Sequence, residues 1–172
     1  ASRWELETLS TQSELVASRS RHGGFVSDFE SFDNTAFAIS PAEAAAMDPQ
    51  QRLLLEHGYE AMHGAELDRA ALNGSLTGVF LGIAAAEFGQ ILAATPAGKS
   101  VYAATGSTNS VASGRLSYVL GLHGPCVSYD TACSAALVAC HAALCALQRN
   151  ECEVALAAGV NLMLAADAGY SF

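Results

Sequence analysis

From Ala135 to Leu147 the chain reads AALVACHAALCAL, a stretch of helical length in which His141 is the one strongly polar side chain. A helix on a protein surface keeps a polar face toward water, so this one must be covered on most of its sides. The runs flanking it, GPCVSYD (124–130) and CEVALAAGV (152–160), are short, apolar and partly β-branched, as buried strands are. A strand, a covered helix and a second strand in that order call for a layered α/β fold. The helix is predicted from Cys133 or Ser134 to about Gln148, with Asn150 as a left-handed terminator.

The rest of the chain repeats this alternation. Residues 1–39 are mixed, with a turn at Gly23-Gly24 and apolar beats at Phe25, Phe29, Phe32, Phe37 and Ile39, which predicts an irregular segment anchored by aromatic rings. In SPAE, Ser40 is the expected N-cap, Pro41 the first helical residue and Glu43 the capping-box partner. Asp48, Pro49 and Gln51 repeat the pattern and start a helix expected to reach His63, with Leu54, Leu55, Tyr59 and Met62 on or near one face. TGVFLGIA (77–84) reads as another buried strand, and a helix is expected from about Ser110 to Leu120, small-residue rich on one face and closed by Gly121.

Hydrophobic residues make up 51% of the chain and charged residues 15%, more apolar matter than a small soluble domain needs. Much of it must be buried in a thick multilayer core or against another chain. No apolar run reaches the roughly 18 residues of a membrane span, and the start, ASRWELETLS, has no signal-peptide pattern. A net charge of −9 argues against nucleic-acid binding. Five cysteines without C-x-x-C spacing fit a reducing, cytoplasmic setting better than a disulfide framework or a metal site.

Cys133 stands where the strand hands over to the apolar helix. A helix N-terminus carries partial positive charge and unpaired N–H groups, which stabilise a thiolate and can receive an oxyanion from an attacked thioester. Cys133 is therefore the candidate nucleophile. Cys140 and Cys145, further along the helix, and Cys126 and Cys152, at strand edges, read as small hydrophobes.

DTACSAALVACHAA resembles the active-site motif of β-ketoacyl synthase (ketosynthase) domains of type I modular polyketide synthases and related fatty-acid synthases. RHGGFVSDFESFDNTAFAISPAEAAAMDPQQRLLLEHGYEAM, GVFLGI, YAATGSTNSVASGRLSYVLGLHGPCVSYDTACS and ECEVALAAGVNLML resemble other blocks of that family in the same order. The resemblance implies a thiolase-like layered αβαβα fold, of which residues 1–172 are the N-terminal half, without the family's first strand. It implies that Cys133 accepts an acyl chain from an acyl-carrier protein, with its backbone N–H in the oxyanion hole. Decarboxylative Claisen condensation with a malonyl-type extender follows, in polyketide or fatty-acid synthesis. Asp130, Thr131, Ala132 and Ser134 match the motif and are expected to shape the turn rather than to react.

The same resemblance implies a homodimer within a multifunctional enzyme, with substrates carried on phosphopantetheine and no bound cofactor or metal. The interface is expected at the 110–120 helix and the strand near Cys126. The family's two catalytic histidines belong to motifs that do not occur in this chain. None of His22, His57, His63, His123 and His141 stands in such a context, and His141 is expected in the core. This segment alone is expected not to condense. Ala158 stands where glycine is common in the family, which bears on backbone approach there. The alternatives are another thiolase-like enzyme, such as a coenzyme A-dependent thiolase or a chalcone-synthase-like enzyme, a non-elongating acyl-transfer domain, and a structural dimerisation module.

Overall fold

Among the described residues three strands form a parallel sheet, and the earliest in sequence lies in the middle. The computed structural model describes residue 24, residues 26–84 and residues 87–164. Its helices are α1 (Pro41–Ala46), α2 (Pro49–Gly64), α3 (Arg69–Leu72), α4 (Phe88–Ala93), α5 (Ala103–Ser107), α6 (Asn109–Leu120) and α7 (Ala135–Gln148). The strands are β1 (Thr77–Ile83), β2 (Cys126–Tyr129) and β3 (Val154–Val160), in the order β2-β1-β3. Parallel neighbours need crossovers, and α6 and α7 supply helices in them.

Alternation along β1 sorts the two layers. Val79, Leu81 and Ile83 pack with Leu54, Leu55, Ala112 and Leu116 of α2 and α6, while Phe80 packs with Ala139, Ala143 and Ala146 of α7. Every residue of β1 is buried, as a central parallel strand requires. The small face of α6 lies against this sheet: Ala112 and Ser113 are buried, and Ser113 Oγ meets Ser128 Oγ of β2 at 2.9 Å. That face is therefore used within the chain, while Tyr118 on the same helix is exposed. Gly121 closes α6 with a positive φ, as predicted.

Both expected N-caps form: Ser40 Oγ accepts from Glu43 N–H and Asp48 Oδ1 from Gln50 N–H. The reciprocal half of each capping box does not. Asp48 N–H donates to Gly106 O instead, so Gln51 turns away, donating to Thr105 O and Thr108 O and accepting from Arg115 Nε. Glu43 likewise pairs with Arg115 Nη1, so the two predicted capping partners join α1 and α2 to α6 through one arginine. Among residues 26–39, Phe37 and Ile39 are buried and Phe32 stacks on Phe37, the expected aromatic anchor. Phe25 and His22 lie outside the described residues.

Helix α7 departs from expectation in its burial. One face, Ala135, Ala139, Ala143 and Ala146, is buried on the sheet, but Leu137 is 74% exposed and Leu144 53%. Cys140 and His141 are exposed too, so among the described residues His141 is not packed into a core as expected and Cys140 is not buried as a small hydrophobe. The physical reason is plain: no element among the described residues lies over that face.

Burial pushes the Asp48 carboxyl above its ordinary value of 3.8, against the hydrogen bonds from Gln50 and the charge of Arg52. A folded state that holds its proton to higher pH than the unfolded chain gains stability below the ordinary carboxylate pKa and loses it as pH rises through the raised one. The stability difference between wild type and Asp48→Asn is expected to shift in favour of the variant as pH rises from about 3.8 toward neutrality. Urea unfolding of both across that range checks it, and a pH-independent difference would refute it.

Candidate active site

Two glycines let a helix come closer to a sheet than side chains allow. Gly82 of β1 and Gly159 of β3 are partners in register near the C-terminal ends of their strands. A Cβ on Gly82 would lie 2.5 Å from the backbone carbon of Ala135 and the backbone nitrogen of Ala136. One on Gly159 would lie 2.6 Å from Ala136 Cβ. The first residues of α7 thus rest directly on strand backbone. This close approach occurs at Gly159; Ala158 packs on the opposite layer with Leu54, Leu81, Ile83 and Ala112, so alanine there does not obstruct α7.

The chain reaches that helix through a tight turn. Tyr129 ends β2, and a 3₁₀ turn, Ala132–Ser134, leads into α7. Cys133 therefore sits in the 3₁₀ turn, one step before the α-helix proper. Ala132 has φ +51°, a left-handed conformation that costs an alanine about 1–2 kcal/mol. Side chains around it hold the bend: Asp130 Oδ1 accepts from Ala132 N–H at 3.2 Å, and Ser134 Oγ donates to Thr131 O at 2.8 Å. Ser134 N–H donates to Thr131 O, leaving the Cys133 N–H with no hydrogen-bond partner among the described residues. Ser134, the residue preceding α7, makes no side-chain cap, and Ala135 N–H donates back to Ala132 O, so the turn runs directly into the helix.

Cys133 is exposed and lines an open groove of about 530 Å³. Gly82, Ile83, Ala84 and Glu87 form one wall, and Gly159, Val160, Asn161 and Met163 another. At this end of the helix that the sequence expects to be covered, the described residues supply a floor and walls but no roof.

The other cysteines stand apart from this groove. Cys126 is exposed on β2, Cys152 is buried beside Phe80 and its thiol is pushed up by burial, and Cys145 Sγ lies 3.6 Å from His141 Nε2 on the outer face of α7. His57, exposed, pairs with Glu60 at 2.8 Å; none of His57, His63, His123 and His141 lines the groove. Among the described residues no cluster of His, Cys, Asp or Glu could hold a metal ion. No described helix is long and apolar enough to cross a membrane. The glycine pair and the strained Ala132 were missed by sequence reasoning, although a glycine near the end of each of two predicted strands was a signal for close packing.

Fold and site together define a class: a layered α/β protein that presents a thiol from a strained turn at the N-terminus of a sheet-packed helix. Comparison with known proteins narrows it. The family model described as the N-terminal domain of β-ketoacyl synthases matches residues 1–172. Polyketide synthase GfsB of Streptomyces halstedii is 53% identical over 143 residues, 83% of this chain and 3% of that protein. A phenolphthiocerol/phthiocerol polyketide synthase component of Mycobacterium tuberculosis is 45% identical over 166 residues, 95% of this chain and 11% of that protein.

Among solved structures, the ketosynthase from module 6 of the bacillaene synthase of Bacillus subtilis 168 superposes with a TM-score of 0.77 at 38% identity, over 86% of this chain and 25% of that one. The oxazolomycin ketosynthase domain OzmH KS7 of Streptomyces albus JA3453 gives a TM-score of 0.77 at 36% identity, over 87% of this chain and 26% of that one. The chain belongs to the β-ketoacyl synthase family and has its thiolase-like fold. It spans about a quarter of the ketosynthase chains it matches and a few per cent to about a tenth of the curated relatives.

Proposed function

We propose that Cys133 is the acyl-accepting nucleophile of a polyketide-synthase ketosynthase. The observation that carries this reading is the position of its thiol, exposed in a groove at the start of α7 beside an unpaired backbone N–H. The sulfur attacks the carbonyl of an acyl thioester carried on the phosphopantetheine of an acyl-carrier protein. The Cys133 N–H, held by the turn of Asp130, Thr131, Ala132 and Ser134, receives the developing oxyanion. A bond forms between Cys133 Sγ and the acyl carbon, the bond from that carbon to the pantetheine sulfur breaks, and the carrier leaves as a thiol with the proton that Cys133 gave up. Decarboxylation of a malonyl-type extender then releases carbon dioxide and gives a carbanion. It attacks the acyl carbon, forms the new C–C bond and returns the cysteine thiolate, which takes up a proton.

The uncovered apolar face of α7 supports a further part of this reading, that residues 1–172 are the N-terminal part of a larger ketosynthase domain. Leu137, Leu144 and Leu147 would then be covered by the remainder of that domain, completing the αβαβα layers. The decarboxylating histidines belong to that remainder, so this segment alone transfers acyl groups at most. A homodimer through the outer edge of β2 fits as well. Among the described residues that edge is unpaired, with Cys126 and Val127 exposed, and an open edge of this kind pairs readily with another strand. Light scattering of the intact protein at micromolar concentration should give twice the protomer mass; a monomer would refute this.

The function itself is tested by incubating the full-length protein with an acyl-carrier protein bearing a short acyl group and mapping the modified peptides by mass spectrometry. Acyl mass on Cys133, with the other four cysteines bare, is the expected outcome. Uniform labelling of all the cysteines, or none, overturns the reading.

A further inference from the structure

Beyond β3 burial alternates along Asn161–Leu164: Leu162 is buried, and Asn161 and Met163 are exposed and line the Cys133 groove. Leu162 N–H donates to Gln50 Oε1 at 3.0 Å, and Leu164 N–H donates to Glu87 Oε2 at 2.8 Å. N–H groups two residues apart on an extended segment point to the same side, where a neighbouring strand would offer its carbonyls. Here two side chains take that strand's place. Gln50, 1% exposed near the start of α2, has its amide oriented by Asp48 Oδ2, which accepts from Gln50 Nε2 at 3.3 Å. Glu87 stands at the start of α4 and itself lines the groove. The side chains of Leu162 and Leu164 complete the anchorage, Leu164 packing with Ala46, Phe88 and Leu92.

We infer that Gln50 and Glu87 are positioning residues that hold this segment as a wall of the groove. Met163 is the specificity-determining side chain on that wall, limiting the bulk of the acyl group that can reach Cys133. The inference rests on the reading of Cys133 as acyl acceptor. The substrate class is an acyl thioester, and the discrimination is between linear chains and chains branched next to the carbonyl. Met163 lines the same groove as Cys133, so its thioether takes up room there that an α-methyl group would compete for. Glu87 acts through the backbone it accepts from, so a glutamine, whose side-chain carbonyl also accepts, should replace it and an alanine should not.

The test measures initial rates of Cys133 acylation by butyryl- and 2-methylbutyryl-pantetheine in the full-length protein, with peptide mapping to confirm the site. Each variant's branched-to-linear ratio comes from one protein sample, so loss of folded protein cancels. Met163→Ala is expected to raise the ratio about tenfold, the scale of one methylene-sized change in an apolar pocket. Met163→Leu, which conserves volume but brings a branch nearer, should lower it. Glu87→Ala should raise the ratio by releasing the wall, and Glu87→Gln should restore the wild-type value. If Met163→Ala and Met163→Leu both leave the ratio within about twofold of wild type while Cys133 is still acylated, the inference is overturned and the nucleophile assignment survives. If Glu87→Gln matches Glu87→Ala, the positioning role fails. Absence of acylation at Cys133 with both thioesters overturns the nucleophile and the wall together.

Discussion

Replacing Cys133 by alanine is expected to lower acyl transfer from the carrier by ~10⁴ or more, the scale on which removal of a covalent nucleophile is felt. Its size comes from the absence of a substitute. Cys126 and Cys152 belong to the sheet region, Cys140 and Cys145 to the body of α7, and none of the four lines the groove. Alanine at Cys126, Cys140 or Cys145 should leave the rate within about threefold, since exposed or half-exposed side chains away from a site rarely matter more. Alanine at Cys152 should destabilise the fold by ~1 kcal/mol, because that sulfur is buried against Phe80, yet leave the rate per folded molecule intact. The measurement is the acyl-transfer rate of each variant, normalised to folded protein. Substantial transfer to another cysteine in Cys133→Ala would defeat the assignment.

Patterns that depend on local chemistry were legible in the sequence. The N-caps at Ser40 and Asp48, the buried run of β1, the glycine that closes α6 and the left-handed Asn150 all follow from rules that operate within a few residues. What was not legible depends on partners far along the chain. Gln51 looks like a capping-box residue, but tertiary contacts with Thr105, Thr108 and Arg115 claim its amide, and the Gly106 carbonyl takes the N–H it would have capped. Gln50 reaches Leu162, 112 positions away, and no periodicity encodes that. Helix α7 shows the limit from the other direction. Its composition demands cover on most sides, and the described residues cover one, so the pattern speaks for an apolar layer that they do not include.

At Gly82 an alanine is expected to cost ~3 kcal/mol, the upper end of overpacking penalties, and to slow Cys133 acylation by about 10²-fold. The atoms a new Cβ would meet, Ala135 C, Ala136 N and Ala135 O at 2.5–2.8 Å, are backbone at the first turn of α7 and cannot rotate aside. Either the helix lifts or the strand sinks, and Cys133, two residues before Ala135, moves with it. Gly159 provides the contrast. Its added methyl would meet chiefly Ala136 Cβ, so Gly159→Ala should be milder, and pairing it with Ala136→Gly should recover stability less the ~1 kcal/mol that glycine costs a helix. The same Ala136→Gly change should not rescue Gly82→Ala, because backbone is what stands in the way. Thermal unfolding and acylation rates of this double-mutant cycle separate the two cases. Rescue at both positions would mean that side-chain crowding alone sets the approach of the helix to the sheet. Rescue at Gly159 only would mean that Gly82 holds the nucleophile's turn at its height above the sheet through backbone contact, which makes that glycine as much a part of the site as the thiol it positions.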